Sequence, residues 1–333
     1  MKNSFIIIGF TLILLFSNCK SQDMNILNPR SLHPYRNIPA LNSMAELSYP
    51  FEVKKLKLSD EIEIAYVDEG KGAETILFIH GLGSYLPAWK KNIEHLSNHF
   101  RCIAIDLPGY GKSSKLPHSG SMRFYAETVD QFADKLGLGK IWVAGHSMGG
   151  QIAMVMALYH PERVEGLILA APAGFEKFTE GQKQWFRNVM TLESVKNTSV
   201  SDIQNNLAHN FYRLPKDAEF MITDRIAMRS ASDFEAYCHA VVQSVNGMVN
   251  EPVYPFLNKI KHPTLVLFGE NDNLIPNRFL NPGPTRQIAE NGVAQMQNAS
   301  LVMMPKTGHF LQFENAESFN NEMKSFILEA SSN

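Results

Sequence analysis

The stretch IWVAGHSMGGQIAM, residues 141–154, carries one hydroxyl, Ser147, in a Gly-X-Ser-X-Gly frame between an apolar run and a helix-like run. Glycines at 145, 149 and 150 surround it. A chain that leaves a buried strand and enters a helix at once must turn sharply, and glycine leaves room for the turn and for close helix–strand packing. The stretch therefore predicts a strand over 141–145, a corner at Ser147 and a helix from Met148. Such a corner lifts the hydroxyl clear of the sheet. The helix then directs its first N–H groups, and the positive end of its dipole, toward the place where negative charge would develop.

Working outward, TILFIH (75–80), RCIAID (101–106), VEGLILA (164–170), TLVLFG (264–269) and ASLVMM (299–304) are short, nearly continuous apolar runs. Strands buried on both faces read this way. Helix-like segments alternate with several of them, notably 89–100, 121–138 and 148–164, which predicts a mostly parallel sheet covered on both faces, with right-handed crossovers. Before these, VKKLKL (53–58) and EIEIAYVD (61–68) alternate in polarity and are joined by the turn Ser59–Glu61, so they read as an antiparallel edge pair. Eight strands result. The alternation stops after Ala170 and resumes at Thr264. Between them, amphipathic segments at 180–190 and 233–245 predict a helical insertion that forms a cap over the strand ends.

At 333 residues, 44% hydrophobic and 19% charged, the chain fits one domain with an insertion, and neither a disordered chain nor a bundle of membrane spans. A formal charge of −2 leaves no basic footprint for nucleic acid. The N-terminus reads differently: Lys2 precedes a twelve-residue apolar run, Phe5–Phe16, shorter than the roughly 20 residues a span requires. It reads as a signal peptide over 1–19. Cys19, soon after that core, resembles the lipidated cysteine of a bacterial lipobox, although Asn18 stands where a small residue is usual; ordinary signal cleavage or an uncleaved anchor is the alternative. The resulting expectation is an exported, membrane-anchored lipoprotein. Residues 20–50, rich in Asn, Pro and Ser, read as tether and lead-in. The body then divides into a core over 51–172 and 258–330 and a cap over 173–257. Cys102 and Cys238 read as buried free thiols, and no Cys/His spacing suggests zinc or any cofactor.

A serine is a weak nucleophile and needs a base, with an acid to orient that base. LVLFGENDNLIP (265–276) ends one strand and offers Asp272; LVMMPKTGHF (301–310) ends the next and offers His309. His146 adjoins the serine on a sharp turn, where neighbouring side chains point apart, and reads as a structural or pocket-lining residue. LFIHGLGSYLPAW (77–89) places a glycine turn after a strand; the amide of Leu82, paired with that of Met148, would make a two-donor oxyanion hole, each donor contributing about 3 kcal/mol to lowering the barrier.

HGLG (80–83), DLPGYGKS (106–113), GHSMGG (145–150), GENDNLIP (269–276) and TGHF (307–310), in this order, together resemble the α/β-hydrolase superfamily, in its capped serine-hydrolase branch, over about residues 51–330. The resemblance implies Ser147 as nucleophile, His309 as base and Asp272 as orienting acid, with Leu82 and Met148 forming the oxyanion hole. It also implies that Asp106 fixes a turn. Serine at the elbow disfavours the alkyl-enzyme chemistry of related epoxide hydrolases and dehalogenases, which hold aspartate there. Carbon–carbon bond hydrolases of this branch share SMGG but commonly carry Trp where this chain has Phe310. The segment 276–297 is long and predicts an extra loop near the site.

The expected activity is hydrolysis of a small-molecule ester with an apolar acyl or aryl group. The alternative is carbon–carbon bond, amide or lactone hydrolysis on the same residues, and a non-catalytic binding protein is a third reading. Trp185, Phe186, Met190, Phe211, Tyr212, Phe234 and Tyr237 in the cap suit an apolar group, though each also suits plain packing. An acidic substrate would need a cation in the pocket, for which Arg187, Arg213, Arg225 and Arg229 are candidates with surface placement as the default.

Overall fold

Apolar runs and alternating runs both become strands of one sheet in the computed structural model, which describes Tyr35 and residues 37–332. The strands are β1 (Lys54–Lys57), β2 (Glu63–Glu69), β3 (Thr75–Ile79), β4 (Arg101–Ile105), β5 (Ile141–His146), β6 (Val164–Ala170), β7 (Thr264–Gly269) and β8 (Ala299–Met304). Their spatial order is β1-β2-β4-β3-β5-β6-β7-β8, with β1 and β2 antiparallel and every pairing from β4 to β8 parallel. The sheet matches the predicted class. Residues of β5 and β7 are buried throughout, as strands covered on both faces must be. On β1 the alternation amounts to little, since only Leu56 turns even partly inward.

Helices α1 (Lys90–Leu96), α2 (Met122–Lys135) and α3 (Met148–Tyr159) link the first strands; α9 (Thr285–Val293), α10 (Leu311–Glu314) and α11 (Ala316–Ala330) follow β7 and β8. Between β6 and β7 lie α4 (Glu180–Val189), α5 (Leu192–Lys196), α6 (Val200–His209), α7 (Glu219–Ala227) and α8 (Phe234–Asn250), and among the described residues no strand. Local signals set the helix starts. Ser121 Oγ accepts the N–H of Phe124 at the start of α2, and Thr179 with Gln182 forms a reciprocal capping box on α4.

The inserted helices are seated on the core mainly by α8. Tyr110 and Tyr125 both meet Ser244 Oγ at 2.8 Å, and a Cβ on Gly247 would come within 2.3 Å of the Gly120 carbonyl oxygen. Backbone against backbone at that distance admits no larger residue. In contrast α4, which lies over the site, has no fully buried residue.

Two expectations about the N-terminus fare differently. Phe5–Phe16 and Cys19 lie outside the described residues, and no helix among the described residues is long and apolar enough to cross a membrane. The tether read over residues 20–50 does not extend through its last part: Met44 and Leu47 are buried in the core, and residues 41–49 bond to the body. Composition missed this because the segment docks through isolated apolar residues, hydroxyls and backbone groups, without a periodic apolar face. Cys102 and Cys238 are free and buried, and burial pushes their thiols up to about 12 and about 11, far above the range in which a thiolate forms.

Candidate active site

The site begins with the backbone at Ser147. Its φ of 54° and ψ of −117° lie where side-chain-bearing residues rarely stand, between the end of β5 and the first residue of α3. Neighbouring glycines make the corner possible. A Cβ on Gly145 would meet the Gly149 carbonyl oxygen at 2.2 Å, and one on Gly149 would meet the Ile79 carbonyl oxygen at 2.3 Å. With hydrogen there instead, α3 packs directly on β3 and β5 and begins, at Met148, at the carboxyl end of β5.

The loop after β3 lies against this corner. A Cβ on Gly81 would come within 3.2 Å of Ser147 Cβ and 3.0 Å of His146 Nδ1, so the Gly81–Leu82 backbone passes beside the serine. His80 fixes the loop from behind. Its Nε2 accepts the N–H of Leu107 at 3.1 Å, which leaves Nδ1 to donate to the Gly81 carbonyl at 2.8 Å. Burial holds His80 below the ordinary histidine range, consistent with this neutral tautomer. Asp106 is the turn-fixing residue expected: its carboxylate accepts from the amides of Leu86 and Lys112 and from the Tyr49 hydroxyl at 2.6–2.8 Å.

At the far side, His309 Nδ1 donates to Asp272 Oδ2 at 2.7 Å. Both side chains are buried, at 3% and 0% exposure, where a charge-assisted bond is strongest. The other oxygen of Asp272 accepts the amides of Leu274 and Ile275, which locks the carboxylate's plane. His146 is buried as well. Its Nε2 donates to the His309 carbonyl at 3.0 Å, its ring lies 4.8 Å from that of His309, and burial first, then the adjoining His309, pushes it well below the usual range. It is both structural and pocket-lining.

Ser147 and His309 line one cavity of about 360 Å³, together with Gly81, Leu82 and His146. Of the cap residues named from sequence, Trp185, Phe186, Met190 and Tyr237 reach this cavity. Phe211, Tyr212 and Phe234 are not brought to it: Phe211 stacks on Phe310 at 5.3 Å, Phe234 stacks on Tyr237, and Tyr212 is half exposed. Among the four arginines, Arg225 lines the cavity, with Nη1 buried and unpaired and its guanidinium 4.4 Å from the Tyr237 ring centre. Arg213 and Arg229 are exposed, and Arg187 bonds outward to Gln184 and Asn250.

Of the segment 276–297, the part before α9 forms the extra loop expected near the site, with Asn277–Phe279 in the cavity wall, while Thr285–Val293 is helix; Asn273–Ile275, just ahead of the segment, line the cavity too. Sequence reading passed over Glu176, which also lines the cavity and whose carboxylate accepts Asn277 N–H and Asn281 Nδ2 from that loop. Burial raises its carboxyl above the ordinary range. Its position just past the carboxyl end of β6, where site residues of such sheets gather, is the signal that would have found it. Among the described residues, no group of three or more His, Cys, Asp or Glu is placed to hold a metal ion.

Comparison with known proteins agrees with this architecture. The chain is 28% identical over 272 residues to the dihydrolipoyllysine-residue acetyltransferase component of the acetoin cleaving system of Cupriavidus necator, 80% of this chain but 67% of that protein, so it spans about two thirds of that relative. It is 28% identical over 290 residues to the 2-hydroxy-6-oxononadienedioate/2-hydroxy-6-oxononatrienedioate hydrolase of Burkholderia vietnamiensis, covering 80% of this chain and 91% of that one. Two solved structures are similar at a TM-score of 0.68. One is a malate-bound esterase of Thermogutta terrifontis, 25% identical over 84% of this chain and 99% of that one. The other is a bacterial membrane phospholipase A, 27% identical over 87% and 88%. Residues 74–316 match the model of the α/β-hydrolase fold, well over half of the chain, and the protein belongs to that family.

Proposed function

We propose that the protein hydrolyses carboxylic esters through an acyl-enzyme formed on Ser147. The observation that carries this reading is the His309–Asp272 pair at 2.7 Å, with His309 and Ser147 in the wall of one cavity. His309 Nε2 takes the proton of the Ser147 hydroxyl as its oxygen attacks the ester carbonyl. Asp272 keeps the imidazole oriented and stabilises the imidazolium. The amides of Leu82 and Met148 receive the oxyanion. The alcohol leaves with the proton from His309, and a water molecule, deprotonated by the same imidazole, then frees the acid. Trp185, Phe186, Val189, Met190, Val241 and Val245 give the cavity an apolar wall suited to an acyl or aryl group. The similarity to an esterase and to a phospholipase A supports ester chemistry.

A second reading, carbon–carbon bond hydrolysis of a dienoate-type acid, is favoured by one observation. Arg225 brings an unpaired buried guanidinium nitrogen to the cavity, as an anionic substrate group would require, and a relative is named as a dienedioate hydrolase. We further propose that the chain is exported and held at a membrane through lipid on Cys19.

In a p-nitrophenyl ester series from acetate to palmitate, Ser147→Ala should lower kcat by roughly 10⁴-fold or more. Turnover retained in that variant would sink the reading. Arg225→Gln should raise KM about tenfold or more for acid-bearing substrates, and much less for neutral esters, because a charged hydrogen bond contributes about 1.5–3 kcal/mol. Equal effects on both, with dienedioate left uncleaved by the native protein, would remove the second reading. Labelled palmitate should enter the native chain in a bacterial host and not Cys19→Ser; incorporation into both would exclude Cys19 as the attachment site.

A further inference from the structure

The segment LNSMAELSY, residues 41–49, precedes the core strands and lies ahead of the matched family region, yet it is bonded at both ends to groups that border the site. We propose that it is a strap that sets the loop 81–86 beside Ser147, with Tyr49 as a positioning residue; this rests on the reading of Leu82 as an oxyanion donor.

At its first end the strap meets the start of α8. Leu41 N–H donates to Ser230 Oγ at 2.8 Å, and the amide and hydroxyl of Ser232 donate to the Asn42 carbonyl at 2.9 and 2.8 Å. Asp233 stands at the N-cap position of α8, but its side chain caps none of that helix's own amides. It accepts instead from Met44 N–H at 3.0 Å and from Ser43 Oγ at 3.2 Å. The strap thus occupies the capping group of a cap helix. That helix carries Tyr237, whose hydroxyl donates to the Gly83 carbonyl at 3.1 Å, in the middle of the loop.

At its second end the strap reaches the loop through Asp106. Tyr49 OH donates to Asp106 Oδ2 at 2.6 Å, and Asp106 Oδ1 accepts the N–H of Leu86 at 2.7 Å. The Tyr49 ring also lies 5.8 Å from that of Tyr85, whose hydroxyl donates to Asp224 on α7 at 2.6 Å. The loop is therefore held at Gly83 from one end of the strap and at Leu86 from the other. A short, partly buried bond to a carboxylate resists displacement, and small displacements of a donor that must meet a developing oxyanion cost rate rather than binding.

The test uses the full chain, with p-nitrophenyl butyrate turnover, the rate of fluorophosphonate labelling at Ser147 and thermal melts measured in parallel. Tyr49→Phe keeps the ring and removes the hydroxyl. It should lower kcat and the labelling rate together by about fivefold to twentyfold, leaving KM within about twofold. Ser43→Ala should act in the same direction but less. Unchanged kcat and labelling in Tyr49→Phe, whether or not the melting temperature falls, would overturn the strap. If Tyr49→Phe fails to fold, an unchanged labelling rate in Ser43→Ala overturns it and a reduced rate supports it. A native protein that neither turns over nor labels would overturn the reading of the site and this proposal with it.

Discussion

The strained corner at Ser147 is the constraint on which the rest depends. A φ of 54° on a residue with a side chain costs of order 1–3 kcal/mol and persists only where the surroundings over-determine it. Here they do so by close approach, since α3 presses on β3 and β5 where Gly145 and Gly149 leave no space for a methyl group. The same approach places a helix N-terminus, a hydroxyl and the backbone of the β3 loop within one small volume. Several buried features fix the loops around that point.

Two of those features are buried histidines that stay neutral. His80, fixed in one tautomer by Leu107 N–H and the Gly81 carbonyl, acts as a spacer between two loops. His146 supports the backbone of His309 through that residue's carbonyl. A charged imidazole in either place would face a large desolvation penalty without a carboxylate in bonding contact. His309 differs from both: its Nδ1 has a carboxylate partner, and it lines the cavity.

Much of this was legible in the chain. Six apolar runs and two alternating ones mark the eight strands to within a residue or two, although the last of them, β8, lies at the sheet edge and buries only Met304. Asp272 and His309 could be named because they end consecutive strands. What escaped depends on how helices without a sheet register face one another. Nothing local distinguishes Arg225 from Arg229 on the cap; Arg225 lines the cavity on α7, whose Asp224 accepts the Tyr85 hydroxyl, while Arg229 is exposed. Glu176 looks like any acid in a loop until the segment after β7 folds back to meet it. The lead-in escaped for a related reason, since its contacts, a few apolar side chains with hydroxyls and amides, have no periodicity to read.

The most direct measurement is peptide mapping by mass spectrometry of the protein acid-quenched during turnover of a slow ester. The account predicts an acyl group on the peptide containing Ser147, accumulating in the native protein and absent from Ser147→Ala. An adduct on any other residue, or ester turnover by the native chain with no acylated peptide, would contradict it.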